Sequence, residues 1–195
     1  MIWDNNDDIK LIECENKRRT IQHSLNECRE ERRPYVFVTN TMNVKPIRRL
    51  LVPVSMLEEE TYKAEICTYI ARKTGAHIIL LQANDYGSHA RQNVNRIVTH
   101  IEKINERLQQ SPATNDQSPI ISYEIALARK DSFKLMQEAV ERQRDFRHDL
   151  LVLTASRDYG LDDILFGPPE LHAIRRALVP VMLVNPREDL FSLCD

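Results

Sequence analysis

Ile47-Arg48-Arg49-Leu50-Leu51-Val52-Pro53-Val54 is an apolar run that stops at Ser55. Beyond Arg49 no polar residue alternates with the apolar ones, so the strand it predicts is buried on both faces. Such strands belong to parallel sheets covered by helices. The chain downstream of Ser55 keeps that rhythm. Residues 58–74 are spaced as a helix with Tyr62, Ile66 and Ile70 on one face, and Gly75 stands where a left-handed C-cap is wanted. Residues 76–83 read as a second buried strand. Residues 89–110 form the clearest helix, striped by Val94, Ile97, Val98, Ile101, Ile104 and Leu108. Residues 111–119 have loop composition, and 120–128 read as a third strand. Residues 131–146 predict a helix capped by Asp131 or Ser132, with Phe133, Met136, Val140 and Phe146 inward. Residues 150–153 predict a fourth strand, 154–167 a polar loop, 168–177 a short helix with Leu171, Ile174 and Leu178 inward, and 179–184 a fifth strand.

Strands alternating with helices imply a doubly wound, mainly parallel α/β sheet with helices on both faces, Rossmann-like in architecture. Its ligand crevice is expected at the carboxyl ends of the strands, where the winding reverses.

Upstream, Ile21, Leu25 and Cys28 recur at helical spacing until Pro34, whose ring ends the helix. Tyr35-Val36-Phe37-Val38 then predicts a strand. One helix and one strand bury too little to stand alone, so this piece should dock on the rest. The expected organisation is a helix–strand extension over 1–44, an α/β domain over 45–187 and a tail over 188–195.

Composition narrows the classes. Of 195 residues, 42% are hydrophobic and 29% charged, which excludes a wholly disordered chain. The net charge of −2 carries no electrostatic footprint for nucleic acid or an acidic membrane. Basic clusters such as Lys17-Arg18-Arg19 and Arg175-Arg176 read as solvated helix faces. No stretch is apolar enough to span a bilayer, and the first residues lack the features of a signal peptide, so a cytoplasmic location is expected. Cys14, Cys28, Cys67 and Cys194 form no metal-binding spacing and read as reduced thiols.

Residues 47–186 resemble the universal stress protein family. Arg49-Leu50-Leu51-Val52-Pro53-Val54 is similar to the family's opening strand, "ILVPVD". Ala64, Cys67 and Ala71, running into Thr74-Gly75-Ala76, resemble its small-residue first helix. Arg175-Arg176-Ala177-Leu178-Val179-Pro180-Val181-Met182-Leu183-Val184 resembles the terminal "RHAPCPVLVV". The resemblance implies five strands in the order 3-2-1-4-5, the fold of adenine nucleotide alpha hydrolases, and a homodimer through the last strand. Residues 25–38 echo the same terminal helix and strand, and many relatives carry two domains in tandem. Residues 1–44 therefore read as the remnant of a first domain, with strand 35–38 pairing against 179–184 as an intrachain pseudo-dimer.

ATP-binding relatives show an acid after strand one and G-x2-G-x9-G-(S/T) after strand four. Here Ser55 takes the acid's place, Thr154 and Arg157 those of the first two glycines, Gly167 that of the last, and Pro168 that of the hydroxyl residue. Glycines let backbone N–H groups approach phosphate, and a helix N-terminus adds donors. Pro168 and Pro169 have no N–H, and Glu170 places a negative charge there. ATP binding in the family's usual manner is disfavoured, and no cofactor is expected. Arg157 could hold a phosphate, but pairing with Asp158, Asp162 or Asp163 is the plainer reading, as solvated acids is for those three over a metal site. No Walker loop, nucleophile elbow or histidine cluster is present.

The sequence thus predicts a non-enzymatic, stress-protein-like regulatory or interaction module. The alternative is a small-molecule binder using Ser55, Asn84, Thr154, Arg157, Gly167 and Pro168 at the carboxyl ends of strands one and four. A nucleotide hydrolase rests on fold analogy alone.

Overall fold

A computed structural model describes residues 9–29, 33–110, 119–156 and 167–185. The strands are β1 (Lys10–Cys14), β2 (Tyr35–Thr39), β3 (Arg49–Val54), β4 (His77–Gln82), β5 (Tyr123–Leu127), β6 (Leu150–Thr154) and β7 (Val181–Val184). The helices are α1 (Arg18–Arg29), α2 (Lys63–Thr74), α3 (His89–Gln110), α4 (Leu135–Glu141), α5 (Gln143–Phe146) and α6 (Pro169–Arg176), with 3₁₀ turns at Glu58–Tyr62 and Ser132–Lys134.

All seven strands join one sheet in the order β1-β2-β7-β6-β3-β4-β5. Counted from β3, the right-hand five follow the implied order 3-2-1-4-5. All neighbours are parallel except β2 and β7, which pair antiparallel through Tyr35↔Leu183, Val36↔Met182 and Phe37↔Val181. The intrachain pairing expected of residues 35–38 is therefore present. It also occupies the free edge of β7, so that edge is closed to a second copy of the chain.

The period-2 alternation of the strands sorts the core into two layers. Leu51, Ile79, Leu81, Leu151, Leu153, Val181 and Leu183 face α1, α4 and α6. Leu50, Val52, Ile78, Leu80, Val152 and Met182 face α2 and α3. Gly75 caps α2 in the left-handed region at φ 70°, donating its N–H to Ala71 O at 2.7 Å, as its position predicts.

Three expectations need correction. The extension is strand–helix–strand rather than helix–strand, because β1 pairs parallel with β2 along its whole length. Lys10-Leu11-Ile12-Glu13-Cys14 is hard to read as a strand because it lies at the sheet edge, where charged residues are tolerated and protective. Phe133 is 86% exposed rather than inward. The Asp131 side chain accepts from Lys134 N–H and starts a 3₁₀ turn, so α4 begins at Leu135 with Leu135 and Ala139 turned to the core. Leu178 is 51% exposed because the helix ends at Arg176 and Ala177 is already extended.

His148 precedes β6 and is 4% exposed, and neither ring nitrogen finds a partner among the described residues. Burial pushes its pKa down to about 4; Asp149 opposes the shift and Arg49 adds to it. Between the ordinary histidine value of about 6.5 and about 4, the unfolded chain takes up a proton that the native state refuses. Stability should therefore fall as pH drops through that window, by about 3 kcal/mol. Urea unfolding at about pH 7 and about pH 4 should show this loss in the parent and a smaller one in His148→Leu. Equal losses in both would remove His148 as the cause.

Candidate functional site

β3 and β6 lie side by side at the centre of the sheet, and the chain winds away from them in opposite directions. Their ladder spans only Leu50↔Leu150 and Leu51↔Leu151, whereas β3 and β4 stay in register for six pairs. Beyond the ladder the carboxyl ends of β3 and β6 open a cavity of about 360 Å³. This is the crevice expected of a doubly wound sheet.

The chain fills the base of that crevice with its own polar groups. After Ser55, the 3₁₀ turn Glu58–Tyr62 carries the chain back over the strand ends and turns Glu60 inward. Glu60 is 7% exposed and accepts from Ser55 Oγ at 2.5 Å and from Thr154 Oγ1 at 2.9 Å. Lys63 lies three residues on, hence on the same side of the helical turn, and is 1% exposed. Its ammonium pairs with Glu60 and donates to the Pro53 carbonyl. A buried ion pair is tolerated when each partner is also hydrogen-bonded, and here each is. The Asn93 side chain, from α3, donates to Ser55 O at 3.0 Å and Leu57 O at 2.7 Å and so fixes the turn's entry.

A second carboxylate closes the other side. Glu170, in the first turn of α6 and 1% exposed, accepts from Ser156 N–H. A negative charge suits a helix N-terminus. The rim is laced by Ser132: Met56 N–H donates to Ser132 Oγ at 2.8 Å, and Ser132 Oγ and N–H donate to Asp85 at 2.5 and 2.9 Å. That chain ties together the loops after β3, β4 and β5. Behind it, burial pushes the Glu138 carboxyl up, but the N–H groups of Arg129 and Lys130 and the Arg142 guanidinium outweigh it and hold the acid below its usual value.

Of the residues singled out in the sequence, Ser55 and Thr154 meet in the crevice, joined through Glu60. Asn84 is exposed outside the cavity lining and donates its N–H to Lys130 O at 3.0 Å. Pro168 is the residue before α6, and Pro169, not Pro168, lines the cavity. Gly167 lies in a neighbouring groove at φ 89°, where a Cβ would come within 2.4 Å of Leu171 Cδ2. Packing and backbone conformation alone thus account for this glycine. Arg157, Asp158, Asp162 and Asp163 lie outside the described residues.

Sequence reasoning missed Glu60, Lys63, Glu170's hydrogen bond and the Asp85–Ser132 lacing. The spacing of Glu60 and Lys63 was visible, but Glu58-Glu59-Glu60 gives no sign of which acid turns inward. Among the described residues no group of histidine, cysteine and acidic side chains could hold a metal ion. Burial pushes the Cys67 thiol up to about 12, which leaves it unreactive. No helix among the described residues is long and apolar enough to cross a membrane.

No family model and no curated protein matches the chain. Solved structures do. A universal stress protein from Archaeoglobus fulgidus superposes with a TM-score of 0.61 at 14% identity, over 93% of this chain and 62% of that one. A functionally unknown protein from Pseudomonas aeruginosa PAO1 gives 0.53 at 12% identity, over 94% of this chain and 64% of that one. The chain has the fold of the universal stress proteins, and it spans less than two thirds of the length of either of these two.

Replacing Glu60 by alanine should strand the Lys63 ammonium in the interior and cost about 3–5 kcal/mol. The double change Glu60→Ala/Lys63→Met should recover most of that loss. Urea midpoints of the three proteins measure it. A double variant no more stable than Glu60→Ala would show that the pair is not the unit described.

Proposed function

We propose that this chain is a non-enzymatic, stress-protein-like regulatory or interaction module whose crevice does not take ATP in the manner of nucleotide-binding relatives. One observation carries the reading: the chain's own carboxylates occupy the donors at the strand ends. Glu60 takes the hydroxyls of Ser55 and Thr154, and Glu170 takes the Ser156 N–H. An incoming phosphate would have to displace a carboxylate from each donor and then face its charge at close range. Pro168 and Pro169 subtract two N–H groups from the helix start that would otherwise reward an anion.

The extension fits a second part of the proposal. β1, α1 and β2 lie beyond β7, the strand through which the resemblance implies dimerisation. β1-α1-β2 repeats the β6-α6-β7 arrangement across the antiparallel β2–β7 contact. We read it as the remnant of a first tandem domain, making an intrachain pseudo-dimer. The alternative, a small-molecule binder, is favoured by the cavity of about 360 Å³ that remains above Glu60. Such a ligand would be uncharged or cationic, since the described lining residues carry Glu59, Glu60 and Lys63.

Native mass spectrometry of freshly purified protein, with and without ATP and Mg²⁺, tests both parts. The expected spectrum shows no nucleotide adduct beyond nonspecific background and no dimer that depends on the β7 edge. A retained or gained nucleotide would overturn the reading of Glu60 and Glu170. A co-purified small molecule of another kind would move the conclusion to the alternative.

A further inference from the structure

A second concavity lies on the opposite side of Phe133 from the crevice. It is a groove of about 410 Å³ between α4 and α6. Phe133, Met136 and Val140 line one wall, and Pro169 and Ala173 the other. The first three form the helical stripe that the sequence pattern assigns to the core. Val140 is buried in the core beside Leu135 and Ala139, Met136 packs partly against it, and the late start of α4 leaves Phe133 86% exposed at one end. An aromatic side chain left that open has apolar area still to bury.

The charges at the far end are unequal. Glu141 is already satisfied, accepting from Gln137 Nε2 at 2.6 Å and Lys130 Nζ at 2.8 Å. Arg176 lines the same end and is exposed; Lys130 and Gln137 hold Glu141 below its usual value with a smaller contribution from the Arg176 charge, but Arg176 forms no direct ion pair with a described carboxylate. The groove is therefore a largely apolar trough that ends beside a guanidinium whose hydrogen-bonding fork is not taken by a described carboxylate and can bind one through two parallel hydrogen bonds.

We propose that the α4–α6 groove binds a small monocarboxylate with an apolar body, its tail along Met136, Val140 and Ala173 towards Phe133 and its carboxylate on Arg176. The site adjoins the crevice, sharing Phe133, Met136 and Pro169 with it, but its anion-binding end at Arg176 lies outside the crevice lining. The guanidinium at the groove end selects an anion, and the walls, Gln137 and His172 apart, offer an aliphatic chain or flat ring apolar contact.

Isothermal titration of the full chain with decanoate, below its micellar concentration, and with decylammonium as the matched cation provides the test. Decanoate should bind once and saturably, and decylammonium at least about tenfold more weakly. Arg176→Gln should weaken decanoate about five- to tenfold and reduce its salt dependence. Phe133→Ala should weaken decanoate without restoring decylammonium. Both residues are exposed, so circular dichroism and urea midpoints of the variants should match the parent. The proposal fails if decanoate does not saturate, if decylammonium binds equally well, or if Arg176→Gln leaves affinity unchanged. Binding that appears only after removal of residues 186–195 would identify the chain's own end as the occupant and overturn it as well.

Discussion

The ladder between β2 and β7 holds the molecule to its shape. β7 is buried on both faces, and without a neighbour on its outer side it would present a row of unpaired backbone groups flanked by apolar side chains. β2 supplies that neighbour and brings β1 and α1 with it. α1 then packs beside α6, and Asn16 fastens the junction by donating to Thr41 Oγ1 at 2.9 Å and to the Arg175 carbonyl at 3.0 Å. Asn43 N–H donates to the Leu178 carbonyl at 2.7 Å and seals the other end. An edge that would invite association between chains is thus closed from within one.

The same economy governs the crevice. In a doubly wound sheet the strand ends at the winding reversal offer hydroxyls, carbonyls and N–H groups that water or a ligand must satisfy. Here Glu60, Lys63 and Glu170 do so. The cost is a buried ion pair, and its benefit is a centre with a fixed arrangement whether or not anything is bound. Exposed apolar surface lies elsewhere, above all at Phe133 beside the α4–α6 groove.

Much of the architecture was legible in the sequence because buried parallel strands write themselves as unbroken apolar runs. The runs read at 47–54, 76–83 and 150–153 hold β3, β4 and most of β6, and the stripe over 89–110 marks α3. β1 was not legible, since at an edge the pattern of burial that marks a strand is half erased by solvent. Phe133 misled because a helical stripe predicts a face, and the face depends on which residue starts the helix; the Asp131 cap moved that start. In the site, the absence of a glycine-rich phosphate cradle was plain, but what stands in its place was not. Glu60 acts through a fold back across two strand ends that are far apart in the chain, and nothing local marks it.

The β2–β7 pairing also sets a timetable for assembly. Phe37 and Val181 are 144 positions apart, so β2 leaves a ribosome long before the strand it pairs with. Contacts closing so long a loop come late, because its closure entropy must be met before any hydrogen bond rewards it. During synthesis β1, α1 and β2 have no sheet to join, and a chain interrupted before residue 181 keeps its apolar beginning unsheltered. Products truncated before residue 181 therefore expose the apolar surface by which quality-control machinery recognises unfinished folds.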